Sequence, residues 1–367
     1  MQIAQLSLKN FRNLNLETGL KPGINFVIAG NGSGKSNFLD SIFQLGFGHS
    51  FKRLSEGGNV NWDSRMDFAK ISAKLIRDQQ YDLTLVISEL EDRNAKTFSI
   101  NGRNRARKNF LNLMHVVLFA PQDLDIVSGP PDIRRSELDD FMSSFDEDYQ
   151  DKLKGYRLVL RNRNKLLQRI AEGVAGANEL PYWNERLADF GSNIIFRRME
   201  LLEKFRPVLT ECAGNIFNAE IRDLQIVYLS KFAADGAEQI KEALLEKLAE
   251  NSFKEIAAKR TLYGPHRDDF ELLFNKRPLR LFGSRGQQRI AALILKLSML
   301  DFLNRLLEDN AILLLDDIMS ELDAKHRSNL EETLTALENQ IVITAAHEND
   351  FSDEFLGRGE LVSLAAS

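Results

Sequence analysis

Ile24-Asn25-Phe26-Val27-Ile28-Ala29-Gly30-Asn31-Gly32-Ser33-Gly34-Lys35-Ser36-Asn37-Phe38-Leu39 decides the fold class. The apolar run to Ile28 reads as a buried strand, and the stretch from Asn37 onward has the spacing of a helix. Between them Gly30, Asn31, Gly32, Ser33 and Gly34 form a turn whose backbone N–H groups can converge on phosphate oxygens. The helix N-terminus adds its positive dipole end. In such a loop Lys35 reaches the β- and γ-phosphates, and the Ser36 hydroxyl ligates Mg²⁺. Ala29 stands where the usual eight-residue pattern begins with glycine. The competing reading, a glycine-rich turn that merely caps a helix, does not account for the strand before it.

A second apolar run, Ile312-Leu313-Leu314-Leu315, ends in Asp316-Asp317. A buried strand of this kind delivers carboxylates to the C-terminal edge of a sheet, where α/β proteins bind ligands. Asp316 is the candidate Mg²⁺ ligand, directly or through water. Asp317 is the candidate for orienting or deprotonating an attacking water. Apolar runs ending in acids are common; paired with the Lys35 loop, this one points to phosphoryl chemistry.

The 367-residue chain is 43% hydrophobic and 28% charged. That composition excludes disordered and fibrous classes, and at roughly 150 residues per domain the length suggests two or three domains. No apolar run approaches the roughly 20 residues of a membrane span, and Met1-Gln2-Ile3-Ala4-Gln5 does not look like a signal peptide. The lone Cys212 excludes an intramolecular disulfide and a multi-cysteine metal site. The expectation is a cytoplasmic protein with no membrane partner. With a net charge of −5, a nucleic-acid partner would need a local basic patch. Two clusters qualify: Arg103, Arg105, Arg107 and Lys108, and the group Arg157, Arg161, Arg163, Lys165 and Arg169. An acidic stretch, Asp139-Asp140 with Asp146, Glu147, Asp148 and Asp151, balances them.

Strand patterns dominate the first hundred residues: 3–9, 24–28, Ala69-Ile71-Ala73-Leu75 in alternation, then Tyr81-Leu83-Leu85-Ile87. Asn101-Gly102 marks a hairpin, because both residue types tolerate positive φ. From about 132 to 250 the spacing turns helical, and Leu153, Tyr156, Leu160, Asn164 and Leu167 share one face. Strand–helix alternation returns after 255, with 287–307 as one long helix. The expected architecture is an α/β head over 1–130 and 252–367, with an antiparallel sub-sheet, interrupted by a helical insertion over 131–251.

Ser284-Arg285-Gly286-Gln287, at the head of that long helix, resembles the Ser-Gly-Gly-Gln signature loop of the ATP-binding-cassette (ABC) ATPases, with Arg in second place. In that superfamily the signature caps the γ-phosphate of ATP held by a partner subunit, using a serine hydroxyl, a glycine N–H and a helix N-terminus. The local alternative is an ordinary N-cap. Ser320-Glu321-Leu322-Asp323 resembles the D-loop, and Pro121-Gln122-Asp123 sits where a Q-loop joins core to insertion. His347, 30 residues past Asp317, occupies the place of a switch histidine. The resemblance implies ATP and Mg²⁺ as cofactors, with Gln122 at the metal and in catalysis and His347 sensing the γ-phosphate.

The resemblance narrows to the RecF family of bacterial DNA replication and repair proteins. It rests on Leu8-Lys9-Asn10-Phe11-Arg12-Asn13, Gly48-His49-Ser50-Phe51, Val117 to Leu124, Ser128 to Asp140, and above all Tyr263-Gly264-Pro265-His266-Arg267-Asp268-Asp269. It implies an ABC-type head like that of SMC proteins without their long coiled coil, and adds Arg12 and Asn37 to the nucleotide contacts. It further implies ATP-dependent dimerisation on double- and single-stranded DNA and slow hydrolysis. Cooperation with RecR and RecO in loading RecA on single-stranded gaps is implied as well. The ABC class usually places Glu where Asp317 stands. A carboxylate one methylene shorter sits about 1 Å from the best position, and misplacement on that scale can cost roughly 10²-fold in rate. Three other readings stay open: an ABC subunit of a transporter, a nuclease-associated head, and a non-hydrolysing scaffold.

Overall fold

The structure, a computed structural model, describes residues 1–52, 58–64, 66–90, 93–215, 221–232, 234 and 236–364. In chain order the strands are β1 (Gln2–Phe11), β2 (Leu14–Gly19), β3 (Ile24–Ile28), β4 (Phe68–Ile76), β5 (Gln80–Leu90), β6 (Arg93–Ile100) and β7 (Arg103–Arg105). They continue with β8 (Val116–Phe119), β9 (Leu224–Leu229), β10 (Asp269–Phe274), β11 (Arg277–Pro278), β12 (Ile312–Asp316), β13 (Ile341–Ala345) and β14 (Gly359–Leu361). The chain divides into two compact units: Met1–Asp123 with Cys212–Glu220 and Leu293–Ser367, and Leu124–Glu211 with Ile221–Ala292.

Among its described residues the first unit holds two sheets. One is antiparallel, in the order β2-β1-β4-β5-β6-β7; the other, β14-β3-β13-β12-β8, is parallel throughout. Ile312 to Leu315 and Ile341 to Ile343 are entirely buried, as strands covered on both faces must be. The helix Lys35–Phe47 contributes Phe38, Leu39, Ile42 and Leu45 to a core shared with Ile3, Leu6 and Leu8 of the antiparallel sheet and with Leu118, Ile312, Leu314 and Val342 of the parallel one. Each such side chain contributes about 1.5–3 kcal/mol by leaving water. The β6–β7 hairpin turns through Asn101 and Gly102 at φ 50° and 73°, the left-handed pair that the dipeptide announces.

The second unit carries the helices Glu147–Ala171 and Ala237–Glu250, most of Leu180–Asn215, and a small antiparallel sheet, β11-β10-β9. Residues 252–292 cluster with this unit, beyond the boundary at 251 that sequence texture suggests. The physical reason is β9. It pairs along its whole length with β10, and Arg134 makes a two-pronged ion pair with Asp269 at 2.7 Å.

One charge reading needs correction. Arg163 is not part of a solvated basic face: it is fully buried, donating to Glu255 at 2.5 Å, Thr261 at 2.8 Å and Asn184 at 2.9 Å. Within the acidic stretch the side chains differ in surroundings. Asp139 is buried between Arg198 and Tyr149, and Asp146 caps the helix Glu147–Ala171. Among the described residues no helix is long and apolar enough to cross a membrane.

Candidate nucleotide and metal site

The β3–helix turn has the geometry the glycines permit. Gly32 and Gly34 lie at φ 80° and 104°, and a Cβ on Gly34 would come within 2.7 Å of Leu14. At Gly30 a Cβ would meet only open space, so the loop face there stays accessible. Lys35 is buried, its ammonium donating to the carbonyls of Ala29 and Gly30. Those two oxygens occupy a cation that a phosphate would compete for.

β13 lies between β3 and β12 in the parallel sheet, with Asp316 opposite Thr344 across the β12–β13 pair. The Ser36 hydroxyl donates to Asp316 Oδ1 at 3.0 Å, and the Thr344 hydroxyl donates to the same oxygen at 2.8 Å. Asp317 adopts φ 49°, and its backbone N–H donates to Thr344 Oγ1 at 3.0 Å. Its carboxylate Oδ1 is buried and, among the described residues, has no hydrogen-bond partner. Burial raises the Asp317 carboxyl above its ordinary range, opposed by a hydrogen bond from Ser320 and by Lys35, with nearby Asp316 adding to the rise.

Asn31, Gly32, Gly34, Lys35, Ser36 and Asn37 line one cleft together with Lys52, Asp316 and Asp317. A serine hydroxyl, a carboxylate and an orphaned carboxylate oxygen form a hard-oxygen donor set that suits Mg²⁺. Among the described residues no cluster of three or more His, Cys, Asp or Glu could hold a metal unaided.

Arg12 sits at φ 50° in the two-residue connection between β1 and β2. Its guanidinium pairs with the fully buried Asp40 at 2.7 Å and donates to Asn37 Oδ1 at 2.8 Å and Ser50 Oγ at 3.1 Å. Burial lowers its pKa, against the pull of Asp40. Lys52 donates to the same Asn37 oxygen at 2.6 Å, and its pKa is lowered by burial and then by Arg12. Sequence reading misses Lys52, Asp40 and Thr344. Lys52 follows the quoted Gly48-His49-Ser50-Phe51 directly, yet nothing in its spacing marks it.

The other predicted residues are not among that cleft lining. Gln122 is exposed on the single turn Pro121–Asp123. His347 is exposed and begins the turn Glu348–Asp350, its N–H donating to Asp350 Oδ2 at 3.2 Å. Asp323 caps the helix Ala324–Ala336 through His326 N at 3.0 Å, and that hydrogen bond is the largest cause of its lowered pKa. In the second unit, Ser284 and Gln287 form a reciprocal cap. Ser284 Oγ accepts from Gln287 N at 3.2 Å, and Gln287 Oε1 accepts from Ser284 N at 2.9 Å. Arg285 and Gly286 are exposed at that helix start. The cap leaves the Ser284 hydroxyl proton available to an outside acceptor.

The profile of the RecF/RecN/SMC N-terminal domain matches residues 2–357. A DNA replication and repair protein RecF from Heliobacterium modesticaldum is 36% identical over 374 residues, covering all of this chain and 98% of that relative. Among solved structures, the recombination mediator protein RecF-ATPrS in the RecFOR pathway superposes with a TM-score of 0.88 at 29% identity, covering 99% of this chain and 96% of that one. The RecF-ATP structure of the same pathway gives 0.86 at 30% identity, covering 95% and 93%.

Proposed function

This chain belongs to the RecF family of DNA replication and repair proteins, with the ABC-type ATPase head that family shares with SMC proteins, and we propose that it works as an ATP-operated DNA clamp. The observation that carries the reading is the meeting of Lys35, Ser36, Asp316 and Asp317 in one cleft at the C-terminal edge of a parallel sheet. Solved relatives described with ATP support the choice of nucleotide. In this reading the phosphates lie on the N–H groups of 30–36, and Lys35 exchanges two carbonyls for phosphate oxygens. Arg12, Asn37 and Lys52 flank the same loop.

Ser36 and Asp316 would hold Mg²⁺, which neutralises charge developing on the phosphoryl oxygens. The partnerless Oδ1 of Asp317 accepts the proton of the attacking water as its oxygen bonds to the γ-phosphorus and the bond to the ADP oxygen breaks. Gln122 and His347 are the further polar groups that approach the bound triphosphate. Ser284, Arg285, Gly286, Gln287 and Asp323 serve the nucleotide of a second copy, so closure needs a homodimer. Turnover is slow, and bound ATP times the clamp. DNA meets Arg103 and Arg105, which are exposed on β7, and Arg161 and Lys165, exposed on the helix Glu147–Ala171. Such contacts go to phosphates and are tolerant of sequence and strandedness. RecR, RecO and RecA are the pathway partners, in the cytoplasm.

Light scattering with and without MgATP tests this, on the wild type and on Ser284→Arg. A wild type that doubles in mass only with MgATP, while the variant stays monomeric, fits the reading. A monomer under saturating MgATP contradicts it.

A further inference from the structure

Thr344 is entirely buried, and its single hydroxyl touches both acids at the end of β12. It donates to Asp316 Oδ1 at 2.8 Å and accepts the Asp317 N–H at 3.0 Å; the Leu315 carbonyl, at 3.5 Å, is a weaker acceptor for the same proton. One oxygen therefore fixes the rotamer of one carboxylate and the backbone of the other. We propose that Thr344 is a positioning residue for hydrolysis, holding Asp317 in its left-handed conformation and aiming Asp316 at the loop serine. This deepens the nucleotide reading of the same cleft and rests on it.

The geometry explains why a hydroxyl is needed rather than any β-branched side chain. Asp317 lies one residue past Asp316↔Thr344, the last pair of the β12–β13 ladder, and its N–H donates to a side chain, Thr344 Oγ1. Thr344 Oγ1 is the acceptor that ties this N–H to the neighbouring strand. Without it, a residue other than glycine at φ 49° loses the bond that holds it there, and the carboxylate is free to swing with its backbone. Ser36 reaches the same Asp316 oxygen from the phosphate loop. Thr344 thus makes β13 a physical link between the two acids and the P-loop, and it does so three residues before His347, whose own N–H is bound to Asp350.

The test compares Thr344→Val, which keeps shape and strand preference, with Thr344→Ser, which keeps the hydroxyl. ATP hydrolysis should fall tenfold or more in Thr344→Val through kcat, with KM and ATP affinity within about threefold of wild type; Thr344→Ser should recover most of the loss. Amide hydrogen exchange of the nucleotide-free full chain gives a readout independent of catalysis. The Asp317 N–H should exchange at least tenfold faster in Thr344→Val than in wild type or Thr344→Ser. Equal exchange in all three, a Ser variant as slow as Val, or a loss confined to KM overturns the assignment. A wild type that binds no ATP defeats the nucleotide reading itself, whereas wild-type binding with unaltered Val kinetics defeats only the role of Thr344.

Discussion

Asp317 holds a left-handed backbone that costs a residue with a Cβ about 1–2 kcal/mol. Aspartate tolerates that region better than most side chains, which fits its presence here in place of a longer acid. Asp317 lines the cleft of the phosphate loop, and among the described residues its buried Oδ1 has no hydrogen-bond partner, as a base that waits for a water requires. Asp317→Asn should therefore lower the ATP hydrolysis rate by 10² or more while leaving ATP affinity within a few-fold, because the amide preserves size but accepts no proton. Filter binding of ATP alongside phosphate release measures both quantities. Equal loss of binding and hydrolysis would mean that Asp317 shapes the pocket rather than acting on water. Wild-type turnover should itself stay below about one per second, at the slow edge of enzyme rates.

The Tyr263–Asp269 segment shows how an element is held by groups from many others. His266 Nδ1 accepts from the Tyr156 hydroxyl at 2.6 Å, and Nε2–H donates to the Thr261 carbonyl at 3.2 Å, so the neutral ring satisfies both neighbours. Burial, with Arg267, Arg135 and Arg163 nearby, pushes its pKa down to about 4 from 6.5. The unfolded chain therefore binds a proton more readily than the folded one between these values. Stability from this group is fully present above pH 6.5 and is lost as pH falls toward 4. The full shift corresponds to at most about 3 kcal/mol. Urea unfolding at pH 7.5 and 4.5 should show this loss in the wild type and a flatter profile in His266→Gln; parallel profiles would refute it. At this scale some features are legible in sequence and others are not. The Lys35 loop, the Asp316-Asp317 strand and the Asn101-Gly102 hairpin are legible because each is fixed by neighbours within a few residues. Arg163 is not, because its burial depends on Glu255, 92 residues away. The β9–β10 pair escapes notice for the same reason: a six-residue strand amid helical texture is defined by a partner about forty residues later. Thr344 carries no motif; its importance lies in two hydrogen bonds made across the sheet.

Across the whole molecule, a net charge of −5 means that the proposed DNA binding would rest on local patches. Arg103 and Arg105 lie exposed on the edge strand β7, whereas Arg107 is already engaged with the Phe47 carbonyl at 2.7 Å. Reversing Arg103 and Arg105 to Glu should weaken ATP-dependent DNA binding at every sequence tested. It should also reduce the dependence of log affinity on log salt by roughly 0.9 for each DNA phosphate no longer neutralised. An unchanged salt slope would remove β7 from the DNA surface. The largest claim, that each ATP site needs residues from two copies, has a direct test in complementation between defective chains. Lys35→Met disables a chain's own phosphate loop, and Ser284→Arg disables what it offers its neighbour. A mixed dimer retains one site with both halves intact. The account predicts that ATP hydrolysis, negligible in either variant alone, reappears when the two are mixed. A mixture as inactive as its components, with both chains folded, would contradict it.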